Sequence, residues 1–404
     1  MYDELLENIT LANSAGVYLD HASGTNLRNS ASKVLNQLVG TDILADPNRL
    51  YLSAVATRDL IEFSRARVGE FFDVAGRQVI FTSSASEAIS QAVYDAAIKC
   101  QNNGNIIISK TEHSAVKKSA VNFSKIFSHR VIELNVDSLG TVDLDQLSDL
   151  LNEIYSKNTS GRNPVALVAI QYANHEIGTK QPIARVSELC SEYRIPLLID
   201  LANSLSNDVI DLSQIDYTYL SLSGPKFGAP VGSGALIIKK NHVITSLING
   251  SSQELRRRAG IENMYAIAGF GAAITELSDN DSLGSEVDRK FKHTLNLTES
   301  LASNPDVEFY GSAFERLSNL ISFSVNGIQA GALTLQLDQM GVYIHSGSAC
   351  SNEIDEPSYI LEAIGKPEVS PIRVSVGWKT TDEEVRTFLD KFNEAVAILS
   401  KYRH

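Results

Sequence analysis

The chain has 404 residues, of which 48 are acidic and 35 basic, for a formal net charge of −13. That balance excludes a generally basic nucleic-acid grip, so no direct contact with DNA or RNA is expected. Three cysteines exclude a disulfide framework and a four-thiolate zinc site, and 43% hydrophobic with 21% charged residues is the balance of an ordinary globular protein of two or three domains.

No apolar run approaches the ~18–20 residues that span a bilayer. The first fifteen residues are acidic and polar, without the basic start and apolar middle of a signal peptide. Sparse thiols fit a reducing compartment, so the expected location is the cytoplasm, away from membranes.

Along the chain, short apolar strands alternate with helical patterns. The strand candidates are Gln78–Thr82, Asn105–Ser109, Arg130–Leu134, Val165–Gln171, Pro196–Asp200, Tyr217–Leu222 and Gly234–Lys239. They are continuous runs of Val, Ile and Leu between polar or Gly residues, as strands buried on both faces are. Helical spacing covers Ser86–Asn102, Asp143–Lys157 and Arg185–Tyr193. This predicts an α/β fold with a mostly parallel, seven-stranded sheet and helices on both faces. The last ~140 residues read as helix Glu286–Asn304, strand Leu320–Val325, a helix near Ala330–Met340, a Gly/Ser loop, helix Pro357–Ile364, strand Pro371–Ser375 and helix Asp382–Tyr402. That is a smaller α+β unit. The expected division is a large domain over 16–262 and a small one over 263–404 joined by 1–15.

Polar clusters sit just past the strands, where open α/β sheets bind ligands. Ser83 to Glu87, with Ala85 and Ser86, follows a strand and opens a helix. Its N–H groups and hydroxyls would seat an anion, and the same residues serve equally as an N-cap. His113 follows the strand NIIIS, where an imidazole can stack on a flat ring or move protons. Asn174 follows VALVAIQ, and Asp200 ends PLLID. Lys226 lies 26 residues later in a Ser/Gly turn. A lysine near a carboxylate suits a Schiff-base cofactor whose ring nitrogen must stay protonated.

The motifs TEHSAV (111–116), ANHEIG (173–178), IDLANS (199–204), SLSGPKFG (221–228) and SGSACSNEIDEPSYIL (346–361), in this order and spacing, resemble the cysteine desulfurases. These belong to the class V aminotransferase-like group of fold-type I pyridoxal phosphate enzymes. The Cys-containing stretch resembles the first desulfurase group, which carries its nucleophile on a long mobile loop. The resemblance implies pyridoxal 5'-phosphate as cofactor, L-cysteine as substrate, a homodimer and a protein that accepts the sulfur. It implies that Lys226 holds the cofactor, Asp200 pairs with its ring nitrogen, and His113 stacks on the ring and moves protons. Asn174 would sit near the ring oxygen and the substrate carboxylate, with Asn203 also at the ring oxygen. Ala85, Ser86 and Ser223 would cup the phosphate, Arg373 would clamp the substrate carboxylate, and Cys350 would attack sulfur. Either His113 or His345 is a candidate base for Cys350. Cys100 and Cys190 lie in helical patterns and read as packing residues, and no histidine spacing marks a metal site.

Four departures from the family pattern stand out. Pro225 replaces the His that precedes the lysine, and Asn203 stands where a Gln is usual. Arg258-Ala259-Gly260-Ile261 replaces Arg-Ser-Gly-Thr, whose Thr reaches a phosphate across the dimer. The N-terminal loop, usually rich in Ala and Thr, reads Asp20-His21-Ala22-Ser23-Gly24-Thr25. They suggest a specialised member serving a dedicated pathway such as DNA phosphorothioation. The competing readings are a selenocysteine lyase, which would not need Cys350, and a cofactor-impaired scaffold of a sulfur-transfer complex.

Overall fold

A computed structural model describes residues 2, 16–41, 45–100, 103–158, 164–279, 282–347 and 358–402. Strand β1 spans Val17–Tyr18, and β2 to β8 span Val79–Thr82, Asn105–Ser109, Arg130–Leu134, Val165–Gln171, Leu197–Asp200, Tyr219–Ser223 and Gly234–Ile238. The last seven form one sheet in the order β2-β8-β7-β6-β5-β3-β4, parallel except for β8. This is the expected mostly parallel seven-stranded sheet.

Its strands read clearly because both faces are covered. Along β3, Ile106 and Ile108 pack on one side and Ile107 on the other, and all three are fully buried. Helices Ala85–Lys99 and Ser114–Phe127 cover the first side. Helices Leu52–Phe71 and Met264–Ser278 share the core of the other side through Ile61, Val68, Ile267, Phe270 and Ile274.

Helices Asn29–Val39, Leu52–Phe71, Ser114–Phe127 and Met264–Ser278 are additions to the sequence reading. The last is apolar on nearly every face, because it is wedged between helices and the sheet, so it shows little periodicity. Met264–Ser278 was expected in the small unit, yet its side chains lie in the large sheet's core.

The second, four-stranded sheet comprises β9 (Val307–Tyr310), β10 (Leu320–Val325), β12 (His345–Ser346) and β13 (Ile372–Ser375), in the order β12-β13-β10-β9. The short strand β11 (Val342–Tyr343) pairs in parallel with β1. Leu19, just after β1, is buried with Phe323, Phe388 and Phe392 in the small unit's core. The N-terminal strand is thus stitched to the C-terminal sheet, and the following residues, 20–28, lead back to the large one. Helix Asp382–Leu399 closes the fold, and its start is fixed by a reciprocal Thr381–Glu384 capping box.

Candidate active site

Strands β2, β3, β5, β6 and β7 all point the same way, so the polar residues after them arrive at one sheet edge. There they line a cavity of about 230 Å³ with Ala22, Ser23 and Arg373 from the second unit's side. A larger cleft, of about 730 Å³, lies elsewhere among Phe71, Leu205 and Leu283 and holds none of these residues.

After β2, Ser84 caps helix Ala85–Lys99 by accepting the Glu87 N–H at 3.3 Å. Ser84, Ala85 and Ser86 line the cavity at that helix start, where free N–H groups favour an anion. Gly234, the first residue of β8, makes this seat possible. A Cβ there would meet the Ser84 backbone at 2.5–2.8 Å, closer than real contacts allow.

After β3, His113 caps helix Ser114–Phe127, and its Nδ1 accepts the Ala115 N–H at 3.1 Å. That bond places the proton of the neutral ring on Nε2. The neighbouring Glu112 is fully buried. Its Oε1 accepts the Gln171 N–H at 3.0 Å, while Oε2 meets no partner. Burial, reinforced by the nearby Asp200 charge, pushes its carboxyl well above the usual range.

Asp200 ends β6 with 6% exposure. Its Oδ1 accepts the Ser221 hydroxyl at 2.7 Å and the Ala202 N–H at 2.9 Å. Asn203 lies one turn further on, 7% exposed, with neither amide atom bonded. Lys226 closes the turn Gly224–Lys226 after β7, and its Nζ donates to Ser23 O at 2.8 Å and to Ala22 O. The turn is pinned from behind by Arg28, whose Nε donates to Phe227 O at 2.7 Å while Nη2 grips both Glu286 oxygens at 2.9–3.0 Å. Arg373, on β13, is 2% exposed. Its Nη2 donates to Asp20 Oδ1 at 2.8 Å and to Ser23 Oγ at 2.7 Å, and Nη1 to His175 O at 2.9 Å.

The structure thus brings together Ala85, Ser86, His113, Asp200, Asn203, Ser223, Lys226 and Arg373. Asn174 does not line the cavity. Its Oδ1 accepts the Glu176 and Ile177 N–H groups at 2.8 and 2.9 Å, and its Nδ2 donates to Thr111 O at 3.1 Å. The amide braces the loop that carries His175. Cys350, Glu356 and Pro357 lie outside the described residues. Among the other thiols, Cys190 is buried and pushed up to about 12 by burial, then by Asp216, and burial also raises Cys100, so neither supplies a thiolate near neutral pH. His345 is on β12, paired with Arg373 across the ladder.

The donor set fits pyridoxal phosphate. Asn203 presents a buried amide with two unanswered polar atoms, which a bound group with a ring oxygen would satisfy. An amine, a buried carboxylate and a helix start face the same space, matching a Schiff base, a ring nitrogen and a phosphate. The residue before the lysine, Pro225, adds no donor. Arg258 instead clasps Glu87, in the first turn of the seat's helix, at 2.8 Å. Sequence reasoning missed Glu112, Gln171, His175, Asp20 and Ser23 as site residues. The signal for Glu112 was its place between a strand end and His113.

The Aminotransferase class-V family matches residues 17–388. The chain is 32% identical over 399 residues to cysteine desulfurase IscS of Dictyoglomus turgidum, covering 96% of this chain and 97% of that one. It is 30% identical over 398 residues to cysteine desulfurase IscS of Methanosarcina thermophila, covering 96% and 94%. A solved NifS-like protein superimposes with a TM-score of 0.85 at 25% identity, over 95% of this chain and all of that one.

Proposed function

The chain belongs to the aminotransferase class-V family and is a pyridoxal phosphate-dependent cysteine desulfurase, and from that premise we propose how its residues divide the work. The observation that carries the reading is the single cavity in which a lysine, a lone carboxylate, a helix-start anion seat and a buried arginine face one another. Lys226 would hold the cofactor, Asp200 its ring nitrogen, Asn203 its ring oxygen, and Ala85, Ser86 and Ser223 its phosphate. When bound, the cofactor supplies an electron sink for the pair left at Cα.

Arg373 binds the carboxylate of L-cysteine and so fixes the Cα–H bond in front of Lys226. The Lys226 amine, when it is not engaged with the cofactor, would take the Cα proton. His113 covers the cavity and holds a second transferable proton on Nε2. Cys350, as a thiolate, attacks the substrate sulfur. An S–S bond forms, the C–S bond breaks, and the carbon skeleton leaves as L-alanine. The protein keeps a persulfide, which passes to an acceptor protein. The reaction balances without an oxidant, since the sulfur of L-cysteine is transferred formally as S⁰ to a thiol.

The working form is a homodimer. Leu50, Leu52, Val231, Leu255 and Ile261 are large apolar side chains left exposed on the single chain, which contact with a second copy would cover. No helix of the described residues is long and apolar enough to cross a membrane, and the site is read as cytoplasmic.

The test is direct. Cys350→Ser should load cofactor and bind L-cysteine but build no persulfide by mass spectrometry and release no sulfide. Lys226→Ala should lose the cofactor's visible absorbance. Sulfide release from Cys350→Ser near the parent rate would overturn the persulfide reading.

A further inference from the structure

The bonds of Arg373 show what its carboxylate partner must displace. A guanidinium grips a carboxylate side-on through Nε–H and the adjacent Nη2–H. Arg373 Nε is buried and has no partner. Both hydrogens of Nη2, however, are engaged: one with Asp20 Oδ1 at 2.8 Å, the other with Ser23 Oγ at 2.7 Å. A substrate carboxylate can complete the fork only by taking the place of one of them. Ser23 lines the cavity and Asp20 does not. Displacing Ser23 breaks a bond to a neutral hydroxyl, whereas displacing Asp20 breaks an ion pair with a guanidinium of 2% exposure.

Resting on the desulfurase reading, we propose that Ser23 is a specificity-determining residue for the substrate carboxylate. Its hydroxyl occupies the Arg373 Nη2–H in the free enzyme and yields that hydrogen to the incoming carboxylate. Asp20 is the positioning residue that keeps the guanidinium in place throughout. The main chain of Ser23 serves a different group, since its carbonyl accepts the Lys226 amine at 2.8 Å. A ligand that lacks the carboxylate leaves the Ser23 hydroxyl on Arg373.

The experiment uses the cofactor-loaded enzyme, with L-alanine and ethylamine as ligands that do and do not carry the carboxylate. Affinities come from ligand-induced thermal stabilisation, which needs no turnover. Ser23→Ala should bind L-alanine three- to tenfold more tightly and ethylamine as the parent does. Its KM for L-cysteine should fall by a similar factor. Ser23→Thr keeps the hydroxyl and should bind L-alanine more weakly than Ser23→Ala, while Asp20→Asn should weaken L-alanine alone. Unchanged or weaker L-alanine binding in Ser23→Ala would overturn the proposal, as would Ser23→Thr behaving like Ser23→Ala. An enzyme that binds L-alanine as described yet releases no sulfide from L-cysteine would refute the desulfurase reading separately.

Discussion

His21 should make the fold lose stability in mild acid, by an amount the structure sets. The ring is 5% exposed. Its Nδ1 meets Thr25 Oγ1 at 2.9 Å, Nε2 lies 3.4 Å from Thr380 Oγ1, and a Cβ on Gly377 would strike the ring at 2.2 Å. Burial, then the charge of Lys290, lower its pKa from 6.5 to about 4, against smaller opposing effects of the Tyr18 backbone and Asp20. The unfolded chain therefore takes up the proton below pH 6.5, and the folded chain only near pH 4. Stability from this residue is full above 6.5 and falls as the pH drops through that window. At pH 5.5 the imbalance in proton binding is about tenfold, or about 1.4 kcal/mol. Urea unfolding of the apoprotein at pH 7.5 and 5.5 reads this without reaching the pI near 5.1. Carboxylates contribute their own slope, so the comparison is with His21→Gln, which cannot take the proton. The parent should lose about 1.4 kcal/mol more than the variant over that interval. Equal losses would mean that the ring is protonated without penalty, and that the packing around residue 21 is looser than described.

Glu112 should act with the opposite sign. Its folded pKa is raised by burial, so stability from this group is present below the unfolded carboxyl value and declines as pH rises above it. Glu112→Gln keeps the neutral shape and should flatten that decline in urea unfolding between pH 5.5 and 8; a variant as steep as the parent would show that Glu112 ionises in the folded state. Gly234→Ala should push the Ser84 backbone away from the anion seat. We expect a loss of about 1–3 kcal/mol in thermal unfolding, and at least tenfold weaker cofactor retention on dialysis; retention equal to the parent's would separate the seat from that close approach.

How much of this was legible in the sequence follows from where each residue is buried. The seven strands of the large sheet were read nearly to the residue because β3, β5, β6, β7 and β8 are covered on both faces, leaving unbroken apolar runs. Strand β9, VEFY, alternates weakly at the edge of the small sheet and gave no such run. Helix Ser114–Phe127 hides behind serines and lysines, since only Val116, Ala120 and Phe123 of its apolar side chains are buried. His113, Asp200 and Lys226, named from their places after strands, line one cavity. Arg373 was named through the family resemblance alone, and its partners across the two sheets, Asp20 and Ser23, were not named as site residues. Nothing in the spacing of Asp20, Ser23 and Arg373 reveals that residues some 350 positions apart share two hydrogen bonds. Asn174 was read from the sequence as a ligand residue, and in the structure its amide bonds three backbone groups instead of lining the cavity.

The site spans two sheets, so something must hold their relation fixed, and two buried ionic clusters do it. Arg373 joins β13 to the loop after β1 through Asp20. Arg28, on the same returning segment, joins the Lys226 turn to helix Ser282–Leu301 through Glu286, and Lys290 on that helix reaches Glu286 at 2.6 Å and Ser206 O at 2.7 Å. Buried ion pairs add little net stability, since desolvation offsets most of the attraction. Their geometry is another matter. Arg28 has one hydrogen on Phe227 O, the residue after Lys226, and its remaining bonds on carboxylates of two other helices. An apolar cluster of equal volume would pack these elements as tightly but would not fix the turn's carbonyl in direction. Residues 20–28 therefore carry both ends of the site: the segment positions Arg373 and, a few residues later, anchors the turn of Lys226, the two residues proposed to bind the carboxylate and take the proton. Residues 20–25 are also where the chain departs from the family's Ala- and Thr-rich pattern. That departure falls on the connection between the two sheets, while His113, Asp200, Lys226 and Arg373 line the cavity.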